Sequence, residues 1–283
     1  MNTPLAPAHP SIARRAAVIG HPVDHSLSPV LHTAGYTALG LDDFSYGRID
    51  CDADGVAPLL AGQGRSYAGF SCTMPCKFAA LAVADHATHR ATSIGSANTL
   101  VQVEPGVWRA DNTDCDGVAG ALDELGVARD LSGARALVVG AGGTARPAVW
   151  ALGGRGVDHI DIVNRSDRSD QFRDLARACG VSVSFHPTEH ADLDTLVAAS
   201  AVVVSTVPSA AIVGLEHRLA KVPVVDVIYN PWPTALVSAA RANGVAAVGG
   251  HVMLACQAYS QFEQFTGHPA PTQAMRASLE AYL

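Results

Sequence analysis

Lysine is almost missing from this chain. Of 283 residues only Lys77 and Lys221 are lysine, and the other 17 basic residues are arginine. A genome preferring arginine codons explains such a bias, so a lysine that persists points to work a permanently charged guanidinium cannot do. Charge of any kind is scarce, 16% of residues against about 25% in an ordinary domain. Disorder needs high charge and low hydrophobicity, and with 48% hydrophobic residues the chain reads as globular. The net charge of −7 argues against nucleic acid as a partner, because phosphate binding needs a clustered basic surface. No apolar run reaches the roughly 18 residues of a membrane helix. The paired Arg14 and Arg15 follow the first apolar residues, the reverse of a signal peptide. The six cysteines (Cys51, Cys72, Cys76, Cys115, Cys179, Cys256) form no CxxC pair. They read as reduced thiols of a cytoplasmic protein.

The length suits one large domain or two ordinary ones. There is no internal repeat, and β-rich runs alternate with helical patterns, the signature of an α/β sheet. In the first third, strands are expected at about 15–20, 44–49, 67–71, 98–103 and 107–111, and helices at 29–39, 55–62 and 76–84. Ser28-Pro29 has the form of an N-cap followed by proline at the first helical position, and Gly40 suits the stop. From 135 onward, strands are expected at 135–140, 159–164, 181–185, 201–205, 222–227 and 245–249. Six such strands match a doubly wound Rossmann sheet. Residues 251–283 look helical, with a break at Gly267-His268-Pro269. The expected division is a mostly parallel α/β unit over 1–113, completed by 251–283, and a six-stranded dinucleotide-binding unit over 114–250.

Four constellations carry chemistry. Gly140-Ala141-Gly142-Gly143-Thr144-Ala145 follows a strand and opens a helix. These small residues let backbone N–H groups and a helix N-terminus approach a pyrophosphate. An NAD enzyme usually has an acid about 20 residues on. This chain has Asn164-Arg165-Ser166, with Arg168 nearby. Arginine can clamp a 2′-phosphate that an acid would repel, so NADP is the expected cofactor. A solvated loop, with Asp167 and Asp170, is the plainer alternative.

Ser26 and Ser28, two hydroxyls beside a helix start, offer a seat for a carboxylate. His21 and His25 have a metal-like spacing only on a helix, and Pro22 makes this a loop, so no metal is expected. In Thr73-Met74-Pro75-Cys76-Lys77, Lys77 falls in a first helical turn, where the macrodipole disfavours positive charge. A lysine so placed can exchange a proton near neutral pH. Asn98-Thr99 opens a strand, and Asp111-Asn112-Thr113-Asp114 lies at the boundary between the two patterns. Asp114 is the best carboxylate partner for Lys77; Asp111, Asp116 or a capping role for Asp114 are the rivals.

Together these segments resemble the shikimate dehydrogenase family. The HSLSP loop, TMPCK, SANT, DNTD, GAGGTA, the NRS turn, DVIYNP and a final GxxMLxxQA occur in the family's order over roughly residues 16–283. The resemblance implies reversible NADPH-dependent reduction of 3-dehydroshikimate to shikimate in aromatic amino-acid (chorismate) biosynthesis. It implies Lys77 and Asp114 as the catalytic pair, and Ser26, Ser28 and Tyr229 around the substrate carboxylate. Thr73, Asn98 and Gln257 would take the ring hydroxyls. Gly140, Ala141, Gly142, Gly143 and Thr144 would hold the pyrophosphate, and Asn164 and Arg165 the 2′-phosphate. Val227 and Gly250 would lie on the nicotinamide side. The chain departs from the family at Ser71-Cys72-Thr73 (usually Asn-Val-Thr), at Thr33 (usually Asn), at Ser205-Thr206-Val207-Pro208 (where an Asn-Ala-Thr usually ends a later Rossmann strand) and at Ser169, since Arg168 falls one place early. Quinate dehydrogenase is the nearest rival and an NADP-sensing module without turnover the more distant one. Both monomer and homodimer fit the composition.

Overall fold

A computed structural model describes residues 14–283; the reading of the first 13 residues lies outside that range. Two six-stranded sheets are joined by helices. The first contains β1 (Arg15–Gly20), β2 (Ser45–Asp50), β3 (Gly69–Cys72), β4 (His86–Ala87), β5 (Thr99–Glu104) and β6 (Val107–Asp111), in the order β2-β1-β3-β5-β6-β4. Three of its five pairings are parallel; β3 with β5 and β5 with β6 are antiparallel. Its helices are α1 (Ser28–Ala38), α2 (Val56–Ala61), α3 (Lys77–Val83) and α4 (His89–Ile94).

The second sheet follows α5 (Asp114–Glu124). Its strands are β7 (Arg135–Val139), β8 (His159–Asn164), β9 (Ser182–Pro187), β10 (Ser200–Ser205), β11 (Val224–Asp226) and β12 (Ala247–Gly249). The order β12-β11-β10-β7-β8-β9 is parallel throughout. The chain builds outward from β7 to β9, then crosses back to β10 beside β7. That reversal opens a crevice at the carboxyl ends of β7 and β10, where ligands bind in sheets of this kind. The intervening helices are α6 (Ala145–Gly153), α7 (Ser169–Cys179), α8 (Leu193–Ala198), α9 (Glu216–Leu219) and α10 (Ala235–Ala242).

Three local features differ from the expectations. Ser28 is the first residue of α1 rather than its cap, and no side chain caps that helix, because the Ser28 hydroxyl turns to Ser26 instead. The strand expected from 222 begins at Val224, since Pro223 has no N–H to enter the ladder. The short β4 and α4 lie between the expected elements. Thr88, which caps α4 by accepting from the Ala91 N–H, and Gly95, left-handed at φ +75°, bound a helix too brief for periodicity to reveal.

The final helices, α11 (Gly250–Thr266) and α12 (Thr272–Glu280), tie the two halves together. Val252 and Met253 of α11 pack with Val118, Ala121 and Leu122 of α5 in the larger core. Ala255, Ala258 and Phe262 pack with Leu31 and Tyr36 of α1, and with Met275 and Leu279 of α12. Among the described residues no helix is long and apolar enough to cross a membrane.

The α5–α11 contact is close because Gly117 has no side chain. A Cβ there would stand 2.7 Å from the Met253 carbonyl oxygen and 3.2 Å from the Gln257 Cβ. Gly117→Ala gains about 1 kcal/mol of helix propensity, but overpacking against a backbone atom costs about 1–3 kcal/mol. Urea unfolding of G117A should therefore show a net loss of stability; a more stable variant would mean that α11 yields freely.

Candidate active site

The loop after β1 is held by Arg48, whose guanidinium donates to the Ser26 carbonyl at 3.2 and 2.6 Å. This brings the Ser26 hydroxyl to 3.3 Å from that of Ser28. Opposite, β3 delivers Thr73, and Lys77 begins α3. Asp114 begins α5, where the positive end of the helix favours a carboxylate. The Lys77 ammonium donates to Asp114 Oδ2 at 2.5 Å, and the two side chains are 16% and 8% exposed. The other Asp114 oxygen accepts from the Asn98 amide at 2.9 Å. Asn98 in turn accepts the Thr113 N–H at 2.7 Å and donates to Gln257 Oε1 at 3.2 Å.

One cavity of about 190 Å³ is lined by Ser26, Ser28, Thr73, Lys77, Asn98, Asp114, Tyr229 and Gln257 together with Thr144, Val227 and Gly250. The structure thus gathers all the expected substrate and catalytic residues with three of those assigned to the cofactor. Burial pushes the Tyr229 phenol upward, so its hydroxyl stays protonated and able to donate. Ser71, His25, Met253 and Gln261 line the same cavity; the spacing of one helical turn between Gln257 and Gln261 was a signal that could have found the last of these.

The rival carboxylates are occupied elsewhere. Arg90 donates to both oxygens of Asp111, at 2.7 and 2.6 Å, and to Asp116 at 2.8 Å. His21 pairs with Asp50 at 2.8 Å, and among the described residues no three metal-ligating side chains converge.

The glycine turn lies between this cavity and a second. Gly140 is held at φ +101°, and a Cβ on it would press on Thr206 and Val207 at 2.7 and 2.6 Å. The departure at Thr206 is compatible with that packing, since its hydroxyl donates to the Val139 carbonyl at 2.8 Å. Among the described residues, none beyond the chain neighbours comes within 4 Å of a Cβ built on Gly142 or Gly143, so that backbone is open to a ligand. Helix α6 has neither an acid in its first turn nor a side-chain cap; the Ala145 N–H bonds the Gly142 carbonyl at 3.2 Å and Pro147 has none, which leaves the Arg146 N–H and the positive helix end for phosphate. A slot of about 430 Å³ on the far side is lined by Asn164, Arg165, Thr188, Val207, Pro208 and Ala211. Asn164 donates to the Ser166 carbonyl at 2.8 Å and fixes the turn. Ser166 and Arg168 lie outside the slot's lining, while Asp167 and Asp170 are engaged by the Ser169 N–H and by Arg173. An apolar slot carrying a guanidinium, joined to a bare glycine turn and a helix N-terminus, fits a dinucleotide with a 2′-phosphate.

A switch-point crevice opening onto a small polar cavity, with an ammonium and a carboxylate apposed, defines a nicotinamide-dependent oxidoreductase. Family models agree along the chain: a shikimate dehydrogenase substrate binding domain over residues 18–100, a shikimate/quinate 5-dehydrogenase over 122–225, and a shikimate 5′-dehydrogenase C-terminal domain over 250–280. The chain is 37% identical over 281 residues to the shikimate dehydrogenase (NADP(+)) of Methylobacterium radiotolerans, covering 95% of this chain and 97% of that one. A shikimate 5-dehydrogenase crystal structure from Mycobacterium fortuitum matches with 48% identity and a TM-score of 0.85, covering 94% of this chain and 97% of that one. The Thermus thermophilus enzyme, crystallised with NADP(H) and shikimate, matches with 31% identity and a TM-score of 0.79, covering 95% and 99%. The chain belongs to the shikimate dehydrogenase family.

The Arg90 cluster sets an acid limit on the fold. Burial alone would raise the Asp111 carboxyl, but hydrogen bonds from Arg90, Thr88 and Gln264 outweigh it and hold the carboxyl below its usual value of 3.8. A depressed folded value means stabilisation that is fully present above the unfolded value and lost as pH falls through the folded one. Asp111→Asn should cost about 1–3 kcal/mol at neutral pH. Urea titrations at pH 5 and pH 3 should show a smaller acid-induced loss in D111N than in the wild type; equal losses would place the acid sensitivity elsewhere.

Proposed function

We propose that this chain is an NADP-dependent shikimate dehydrogenase, which interconverts 3-dehydroshikimate and shikimate on the route to the aromatic amino acids. The observation that carries the reading is the 2.5 Å contact between Lys77 and Asp114 inside a cavity that also holds Ser26, Ser28 and Tyr229. Those three hydroxyls converge where a ring acid needs donors for its carboxylate. Thr73, Asn98 and Gln257 supply the mixed donors and acceptors that ring hydroxyls demand.

NADP, when bound, supplies or accepts the hydride at the ring carbon. The side chains handle the proton. In reduction the Lys77 ammonium donates to the carbonyl oxygen as it becomes an alkoxide, and Asp114 stabilises the ammonium beforehand. In oxidation the same nitrogen takes the hydroxyl proton. Arginine at position 77 would hold its charge but could not make that exchange. Gly140, Ala141, Gly142, Gly143 and Thr144 cradle the pyrophosphate at the α6 terminus, Gly140 through the shape of the turn, since its own N–H bonds the Val163 carbonyl at 2.8 Å. Asn164 and Arg165, with Ser166 and Arg168 at the edge of the turn, receive the 2′-phosphate, and Val227 and Gly250 border the nicotinamide.

By the same reading, residues 1–113 with 251–283 form the substrate unit and 114–250 the cofactor unit. The net charge of −7 and six free thiols support a cytoplasmic enzyme of small molecules, without nucleic acid or membrane as partner. Neither subunit state, monomer or homodimer, is needed to complete the cavity.

Reduced-nicotinamide absorbance should rise rapidly with shikimate and NADP⁺, and slowly with NAD⁺ or quinate. Arg165→Ala should raise the KM for NADP⁺ by about tenfold or more while leaving that for NAD⁺ nearly unchanged, as expected for loss of a charge-assisted contact to the 2′-phosphate alone. Equal turnover with both nucleotides in the wild type would overturn the cofactor assignment. No turnover with any pair, in protein that binds NADPH, would favour a sensor.

A further inference from the structure

Along one wall of the cavity lies a string of polar side chains that the proton transfer itself does not use. Gln261, on α11 one turn beyond Gln257, is 1% exposed. Its amide donates to the Asn98 carbonyl and to the Thr99 hydroxyl, both at 3.0 Å. Its oxygen accepts from the Ser71 hydroxyl at 2.7 Å. Ser71 itself, 4% exposed, accepts from the Tyr46 hydroxyl at 2.5 Å. The Tyr46 ring is stacked on buried His32 at 4.1 Å and 8°. Ser71 bonds two neighbours and Gln261 three, and the string ends on the Thr99 hydroxyl and on the main chain of Asn98, the residue whose side chain aims Asp114.

We propose that Gln261, held by Ser71 and Tyr46, is a positioning residue for the reaction, acting through Asn98 to keep the Asp114 carboxylate against the Lys77 ammonium. The inference rests on the function proposed above. The two glutamines divide the work. Both line the cavity, but Gln257 accepts from the Asn98 side chain, whereas Gln261 donates to the Asn98 main chain. An asparagine whose amide serves Asp114 Oδ1, Thr113 and Gln257 within 3.2 Å has more acceptors than hydrogens. Its orientation must then come from its backbone and its own oxygen. The Asn98 carbonyl accepts from the Cys72 N–H at 2.7 Å as well, so removing the Gln261 amide takes away the second of its two donors, the one that comes from α11, at a buried site where a lost partner is costly.

The scarcity of lysine supplies a direct readout. Lys77 and Lys221 are the only two, and Lys221 is exposed. Brief treatment with acetic anhydride followed by mass spectrometry therefore gives a Lys77:Lys221 acetylation ratio with an internal reference and no substrate. An amine held as an ammonium against a carboxylate acetylates slowly. In Gln261→Met, which keeps the shape and loses the hydrogen bonds, that ratio should rise about threefold or more. The kcat for shikimate oxidation should fall about tenfold, with the KM for NADP⁺ unchanged. The double variant with Asn98→Ala should be no slower than Asn98→Ala alone, because one residue acts through the other.

An unchanged acetylation ratio, or losses that multiply in the double variant, would overturn the proposal. If Gln261→Met fails to fold, Ser71→Ala carries the same test, with a smaller rise expected and no rise counting against. A wild type inactive on shikimate would sink the functional reading, and the acetylation ratio would still decide the positioning role.

Discussion

Two opposite charges, nearly out of water and 2.5 Å apart, are the constraint around which this protein is arranged. Removing an ammonium and a carboxylate from solvent costs several kcal/mol per ion, and their attraction offsets this only when geometry is tightly held and the remaining polar atoms are satisfied. The surroundings meet both conditions. Asp114 sits at the favourable end of α5, while the unfavourable dipole of α3 beneath Lys77 is that of a helix only seven residues long. The second carboxylate oxygen is taken by Asn98. A buried pair is weak evidence for stability in itself, and its upkeep here makes sense as chemistry.

The pair also explains why the molecule needs both sheets. Lys77 follows β3 of the first, and Asp114 opens the helix leading into the second. The crevice at the β7–β10 reversal and the small polar cavity meet at Thr144, which belongs to the glycine turn and lines the cavity. A nucleotide seated on that turn would present its reactive end to Lys77 and Asp114, the pair proposed to handle the proton, the alignment on which rate depends. Helix α11 then returns across the junction. Its small and apolar residues pack on α5 and α1, and its Gln257 and Gln261 reach Asn98.

Much of this was legible in the chain. Short, nearly continuous apolar runs separated by helical patterns identify both sheets, because strands buried on two faces read that way. The glycine turn and the NRS segment are local, so their spacing shows directly in sequence. The Lys77–Asp114 contact is not local. Rarity singled out the lysine, but nothing in the sequence decides among Asp111, Asp114 and Asp116; Arg90 does, by engaging the first and last. The Tyr46–Ser71–Gln261 string was invisible for the same reason, since its members lie 25 and 190 residues apart. Ser28 misled because a serine before proline is an ordinary cap, and only the folded loop shows its hydroxyl turned to Ser26.

The central claim is that Lys77 moves a proton rather than merely holding substrate. Steady-state kinetics of Lys77→Ala with shikimate and NADP⁺ test it most directly, since a group used mainly in the transition state affects kcat far more than KM. The kcat should be lower by about a hundredfold or more, in the range of lost general acid–base catalysis, with the KM for shikimate changed only a few-fold. A kcat within a few-fold of the wild type, accompanied by a large rise in KM, would make Lys77 a binding residue and contradict the account.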